Sequence, residues 1–292
     1  MSVALRRLVL IVVGLAFAIP IAAMVAFTLR SPTGVGYDLG HWTALVDPAH
    51  ARTYRVLVQG VGNSLVLAVV SAVLVLLLLV PAMVLVSLRY PRLVRPLEFL
   101  CIIPITVPAI VLVVGLAPVY GVIVRMGGGG VWTLAFAYGI TVLPYAYRAI
   151  QSDLAATDLK TLTEAARTLG AGWPRIMVGI IVPSLRRGLL AAGFITVAVV
   201  LGEFTIASLL NRVTLQTALV QVSRSDPYAA VAFALMALTF AFVLLVVIGR
   251  VGRIGTVRPV TRVRRPRTPG SSSSPLGPSG LTGPTSARKA LP

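Results

Sequence analysis

Six stretches of almost uninterrupted apolar residues, at about 8–29, 61–88, 98–121, 131–147, 188–210 and 228–249, alternate with more polar segments. A bilayer core of about 30 Å takes roughly 20 apolar residues of helix to cross. The pattern therefore predicts an all-α integral membrane protein with six transmembrane helices. The first stretch follows Arg6 and Arg7, as in a secretory signal peptide. It outruns the apolar core of such a peptide and has no small-x-small cleavage site before Arg30, so it is read as a retained span. An external segment, about Arg30 to Gly60, carries a short amphipathic patch at Trp42, Ala44 and Leu45. The long polar segment, about 151–187, separates the fourth and fifth spans. Within it Leu154, Ala155, Leu159, Leu162, Ala165, Ala166 and Leu169 recur at helical spacing and predict an amphipathic helix over about 153–169. Gly170 and Gly172 then permit a turn that a Cβ would obstruct, and Trp173 and Pro174 begin a second short helix.

Charge orients these spans. Of the 26 Lys and Arg, 20 fall in the first few residues, after the second span, between the fourth and fifth, and after the sixth, and six fall in the remaining connections. Cytoplasmic loops hold the positive excess, so both termini and the 151–187 segment are expected in the cytoplasm. The chain then divides into a first span with its external loop (1–58), a transmembrane domain (59–249) and a basic tail (250–292). About half of the net charge of +18 sits in that tail, where seven Arg between Arg250 and Arg267 precede a Ser/Pro/Gly-rich stretch. Such a composition buries no core and is expected to be disordered. It reads as an inside flank touching anionic lipid rather than as a nucleic-acid arm.

The chain is 57% hydrophobic and 12% charged, with a mean hydropathy of +0.94, and its candidate chemistry is correspondingly sparse. The single cysteine, Cys101, lies inside the third apolar stretch, and His41 and His50 are both in the first external loop, so no metal or thiolate cluster and no cofactor is expected. Gly127 to Gly130 form a glycine run, but the only lysines are Lys160 and Lys289, and neither completes a phosphate-binding loop. No catalytic constellation is predicted, and the chain is not expected to be an enzyme. Pro104 and Pro108, four residues apart on one face of the third span, and Pro144 in the fourth are expected to kink their helices.

Residues 164–183 read EAARTLGAGWPRIMVGIIVP. Glu164, Ala165, Ala166, Gly170, Ile180 and Pro183 fit a spaced pattern in which Val182 alone departs, standing where Leu is expected. The segment resembles the cytoplasmic docking loop of binding-protein-dependent ABC importer permeases. Asn63-Ser64, the Pro104 and Pro108 pair, Pro144-Tyr145 and Gly202-Glu203-Phe204 follow the order seen in that family and extend the resemblance over about 59–249. The Gly-Glu-Phe segment is most similar to permeases for polyamines, iron and small oxyanions. The resemblance implies a type I importer core of helices two to six, in a bacterial inner membrane. Its implied partners are a second permease subunit, homologous or identical, two ATP-binding subunits and an extracytoplasmic solute-binding protein. The implied mechanism is alternating access driven through the docking loop.

Two carboxylates stand out. Glu164 offers a charge to a basic residue on a partner, or pairs with Lys160 or Arg167 along its own helix. Glu203, counted from Gly188 at about 1.5 Å per residue, is expected roughly 22 Å into the bilayer. A carboxylate facing lipid there costs on the order of 2–3 kcal/mol, so Glu203, with Gly202 and Phe204, is expected to face the pathway or a neighbouring helix. Pathway lining and helix packing are both open for it. The rival to an ATP-driven importer is an ion-coupled secondary transporter using Glu203 as its coupling acid.

Overall fold

The computed structural model describes residues 3–31, 36–47, 51–127 and 129–253. His50, Gly128 and the basic tail beyond Arg253 lie outside the described residues. Thirteen helices run in chain order through the described residues. They are α1 (Val3–Thr28), α2 (Gly40–Val46), α3 (Ala51–Arg89), α4 (Val94–Ile102), α5 (Ala109–Gly127), α6 (Ala135–Ala156) and α7 (Leu159–Thr168). The remainder are α8 (Trp173–Ile176), α9 (Val182–Ser184), α10 (Arg186–Gly202), α11 (Thr205–Leu209), α12 (Leu215–Ser223) and α13 (Pro227–Arg253). The one β contact among these residues is an isolated antiparallel bridge between Arg30 and Tyr37.

Helices α1, α3, α5 and α13 are each long and apolar enough to cross a membrane, and α8–α9 with α10 add a fifth if that bent pair is one span. The expected fourth span is α6, whose apolar run is diluted by Tyr145, Tyr147, Arg148 and Gln151. Ten of its 22 residues are buried, so protein rather than lipid surrounds much of it. It packs with α3 and α10 as the centre of the molecule, α12 closes on α3, α13 packs on α12 and α10, and α1 leans on α13.

Three expected elements are broken rather than continuous. The third span separates into α4 and α5, because Pro104 and Pro108 each remove a donor and Val107, ahead of Pro108, is forced to an extended ψ of 120°. Where a bend was expected, a 3-10 turn over Ile103–Thr106 intervenes. The fifth span stops at Gly202, with Glu203 extended at φ −83°, ψ 125°. The amphipathic helix expected over 153–169 divides at Thr157, whose φ of −113° and ψ of 125° end α6. Pro144, by contrast, sits inside α6 without interrupting it, and α3 runs unbroken from Ala51 across the 58–59 boundary.

Side chains hold these pieces together where backbone groups are orphaned. Asn63 Nδ2 donates to the Val213 carbonyl (2.8 Å), and Ser64 Oγ accepts from Leu215 N (2.8 Å), tying α3 to the start of α12. Asp226 caps α13 by accepting from Ala229 N (3.0 Å) and also receives the Tyr54 hydroxyl of α3 (2.9 Å). On the side of the α1–α2 connection, Tyr228 stacks between Phe27 and His41, with centroids 4.6 and 4.0 Å apart. His41 is thus part of an aromatic contact rather than an ordinary loop residue.

Helix α10 lies close against α6. A Cβ on Gly188 would come within 2.9 Å of the Ala149 carbonyl oxygen and 3.0 Å of Asp153 Cβ, whereas one on Gly193 would meet only Leu76 at 4.0 Å. Gly188→Ala should therefore destabilise the fold by about 1–3 kcal/mol through overpacking, and Gly193→Ala should be neutral. Thermal unfolding of the two purified variants in detergent checks this: Tm falls for the first and is unchanged for the second.

Candidate functional site

The segment after α6 builds a compact platform. Asp158 accepts from Thr161 N (3.2 Å) and the Thr161 hydroxyl (2.7 Å), capping α7 and satisfying one of its orphan donors. These bonds, the hydroxyl first, hold the Asp158 carboxyl below its ordinary value of 3.8. A carboxylate lowered on folding contributes stability above its unfolded pKa and loses it as pH falls through the lowered value, so acid weakens this cap.

Helical periodicity gives α7 distinct faces. Leu159, Thr163 and Ala166 point inward, where Leu159 and Ala166 join a core with Tyr147, Ile150, Ile176, Ile181 and Leu185. Ala166 is only 6% exposed, so it serves the packing of the chain on itself, and of the small pair only Ala165 is open to a partner. Leu162, Ala165 and Leu169 form an exposed stripe, with Leu169 88% exposed at the tip. Glu164 lines a cleft with Lys160 and Arg167.

The end of α7 explains Gly170. Ala171 N donates to Ala166 O (3.0 Å) and Gly170 N to Arg167 O (2.9 Å), the paired bonds of a Schellman cap. Such a cap places its glycine in the left-handed region, and Gly170 has φ +80°. Gly172 differs from the expectation: its φ of −74° is open to any residue, and it precedes α8 in extended conformation.

From Trp173 to Ser184 the chain stays helical, widening to a π turn over Met177–Ile181. Val182 N reaches back to Met177 O, a longer ring that accommodates Pro183, which has no N–H to donate. Ile180 is half-buried against the core, and its carbonyl accepts the Ser184 hydroxyl (2.6 Å). Pro183 is exposed. At buried Leu185 the direction changes by 76° into α10. The bend is pinned by Asp153 of α6, whose Oδ2 accepts Gly188 N at 2.6 Å. Asp153 is a positioning residue that the sequence does not flag, because a lone Asp in a polar segment carries no pattern.

At the other end of α10, Glu203 turns back on the chain. Its carboxylate accepts Thr205 N (2.8 Å) and Ile206 N (3.0 Å), so it serves as the acceptor for the first turn of α11. Gln216 Nε2 donates to Leu201 O (2.9 Å), satisfying the other side of the break. The buried Tyr138 hydroxyl of α6 faces the same carboxylate. Gly202 and Phe204 are exposed beside it.

A helical bundle with apolar membrane-length helices agrees with comparison to known proteins. The sequence profile of the family described as binding-protein-dependent transport system inner membrane component matches residues 82–253, from within α3 to the end of α13. The chain belongs to this family. It is accordingly a multi-pass inner-membrane protein. It is also similar to a probable ABC transporter permease protein, y4fN, of Sinorhizobium fredii, being 25% identical over 250 residues. That alignment covers 80% of this chain and 42% of the relative, so the chain spans less than half the relative's length.

The loop geometry makes a direct prediction. Gly170→Ala forces a Cβ into the left-handed region at a cost of about 1–2 kcal/mol, while Gly172→Ala, with open space around it, costs little. Amide exchange across residues 159–171 should accelerate in the first variant and match wild type in the second.

Proposed function

We propose that the chain is the permease subunit of an ATP-driven ABC importer, forming half of a solute pathway and receiving force from a separate ATPase through α7–α9. The observation that carries this is the α7 platform: a capped helix with one exposed stripe, Leu162, Ala165 and Leu169, ended by a left-handed Gly170. Beyond it, the α8–α9 segment bends at Leu185 directly into α10. Force applied to the exposed stripe reaches α10 through packed side chains and the Asp153–Gly188 bond, without passing through a free linker.

In this proposal six spans, α1, α3, α5, α6, α10 and α13, cross the membrane with both termini cytoplasmic. The domain limits remain 59–249 for the transmembrane unit and about 151–187 for the coupling segment, with Glu164, Ala165, Gly170, Ile180 and Pro183 shaping its docking side. The assembly comprises two permease subunits, two ATP-binding subunits and an extracytoplasmic solute-binding protein. Closure of the ATPase pair tilts the spans so that the cavity opens outward, solute enters from the binding protein, and hydrolysis resets the inward state. The cargo is a polyamine, a metal ion or a small oxyanion. Glu203 acts as a helix cap that keeps the α10–α11 break intact. Two backbone N–H groups already engage its carboxylate, which supports a structural role over that of a coupling acid.

The test is uptake of labelled putrescine, iron and sulfate by inner-membrane vesicles, with co-purification of the ATPase subunit. Gly170→Asp and Glu164→Ala should insert normally yet lose ATP-dependent uptake, and Val182→Leu should transport as wild type. Full uptake and ATPase association in Gly170→Asp would refute the docking role, and uptake driven by a proton gradient without ATPase would favour the secondary transporter.

A further inference from the structure

The α7 face not used by the exposed stripe carries Lys160, Thr163, Glu164 and Arg167 at positions i, i+3, i+4 and i+7, which align along a helix. They form one wall of a cleft of about 450 Å³ whose other wall is the end of α3, with Leu85, Leu88 and Arg89, and whose margin is Trp173. Three cations there face a single carboxylate. With Glu164 the one carboxylate among the lining residues, the cleft carries a positive excess. A second observation points the same way. Thr163 is only 6% exposed, and its hydroxyl is buried without a hydrogen-bond partner. Buried side-chain hydroxyls are ordinarily paired, and an anionic oxygen in the cleft supplies the missing acceptor.

Position narrows the source of that anion. Helix α3 is long and apolar enough to cross a membrane and ends at Arg89, a cation of the kind that flanks a span at the edge of the hydrocarbon layer. Leu85 and Leu88 continue its wall back along that span, an apolar surface suited to acyl chain. The Arg167 guanidinium lies 5.9 Å from the centroid of the partly exposed Trp173 ring, an aromatic of the kind favoured at the headgroup level. Basic pockets beside spans on the positively charged side of a membrane bind anionic headgroups.

We propose that the cleft between the end of α3 and α7 binds one phosphate-bearing anion, the headgroup of an anionic phospholipid, through Arg89, Lys160, Arg167 and the Thr163 hydroxyl. A lipid seated there ties α7 to α3, so that membrane composition sets the position of the loop. The binding itself rests on membrane embedding; Glu164 borders both the cleft and the proposed docking side, so the test leaves it unchanged.

The experiment titrates the purified full-length chain in non-ionic detergent with short-chain phosphatidylglycerol, phosphatidylcholine and inorganic phosphate, read by native mass spectrometry. Phosphatidylglycerol should saturate at one molecule per chain, and phosphatidylcholine should bind far more weakly. Lys160→Gln with Arg167→Gln should weaken phosphatidylglycerol about tenfold or more, whereas Arg92→Gln with Arg95→Gln, outside the cleft, should leave it unchanged. Thr163→Val, which conserves volume, should weaken it several-fold and carries the test if the double variant does not fold. Equal binding of the two lipids, or equal losses from the control pair, would overturn the proposal as non-specific attraction to positive charge. Displacement of the lipid by millimolar phosphate would overturn the lipid source in favour of a free anion, and displacement by an added ATPase subunit would assign the cleft to a protein partner.

Discussion

Inside a bilayer no water is available to pair a free N–H or C=O, so a helix can break there only where other groups take over its backbone. That constraint organises this molecule. The break after Gly202 persists because Glu203 receives the first donors of α11 while Gln216 supplies a donor to Leu201 O. The 76° turn at Leu185, in the proposed coupling segment, is held the same way: Asp153 takes Gly188 N and Ser184 returns its hydroxyl to Ile180 O. Ser64 and Asp226 do the same for α12 and α13. At these joints each polar side chain takes up a specific backbone group.

Those joints also determine how movement can pass through the fold. A continuous helix would slide or tilt as a whole, whereas α8–α9 and α10 meet at a fixed angle with Leu185 buried in the core at the corner. The missing Cβ of Gly188 lets α10 approach the Ala149 carbonyl closely enough for the Asp153 bond to form across the helix pair. Displacement of the α7 platform is thereby delivered to α6 and α10 together. In the proposed importer this is the route from ATPase to pathway, and it needs no residue that does chemistry.

Much of this was legible from the order of residues. Apolar runs located the main helices, and the spacing from Glu164 to Pro183 pointed to the binding-protein-dependent family to which the chain belongs. Gly170 was legible because a left-handed cap requires a residue without Cβ. The breaks were harder to see. Pro104 and Pro108 signalled a disturbance, but whether a helix bends or separates depends on whether neighbours can pair the freed carbonyls, which sequence periodicity does not encode. The break at Glu203 was missed because the surrounding residues are apolar, and counting along an assumed continuous helix carried the count across it. Ala165 and Ala166 look equivalent in sequence, yet one faces outward and the other the core, a distinction fixed by the Asp158 cap that sets the rotation of α7.

The central claim is that the exposed stripe of α7, with Leu169 at its tip, is where an ATP-binding subunit docks. Photo-cross-linking addresses it directly, with a photoreactive amino acid at Leu169 or, as a control, at the likewise exposed Phe17 of α1, in membranes containing the ATPase subunit. The account predicts an adduct of permease and ATPase from Leu169 and none from Phe17. An adduct from Phe17 alone, or only lipid adducts from Leu169, would contradict it.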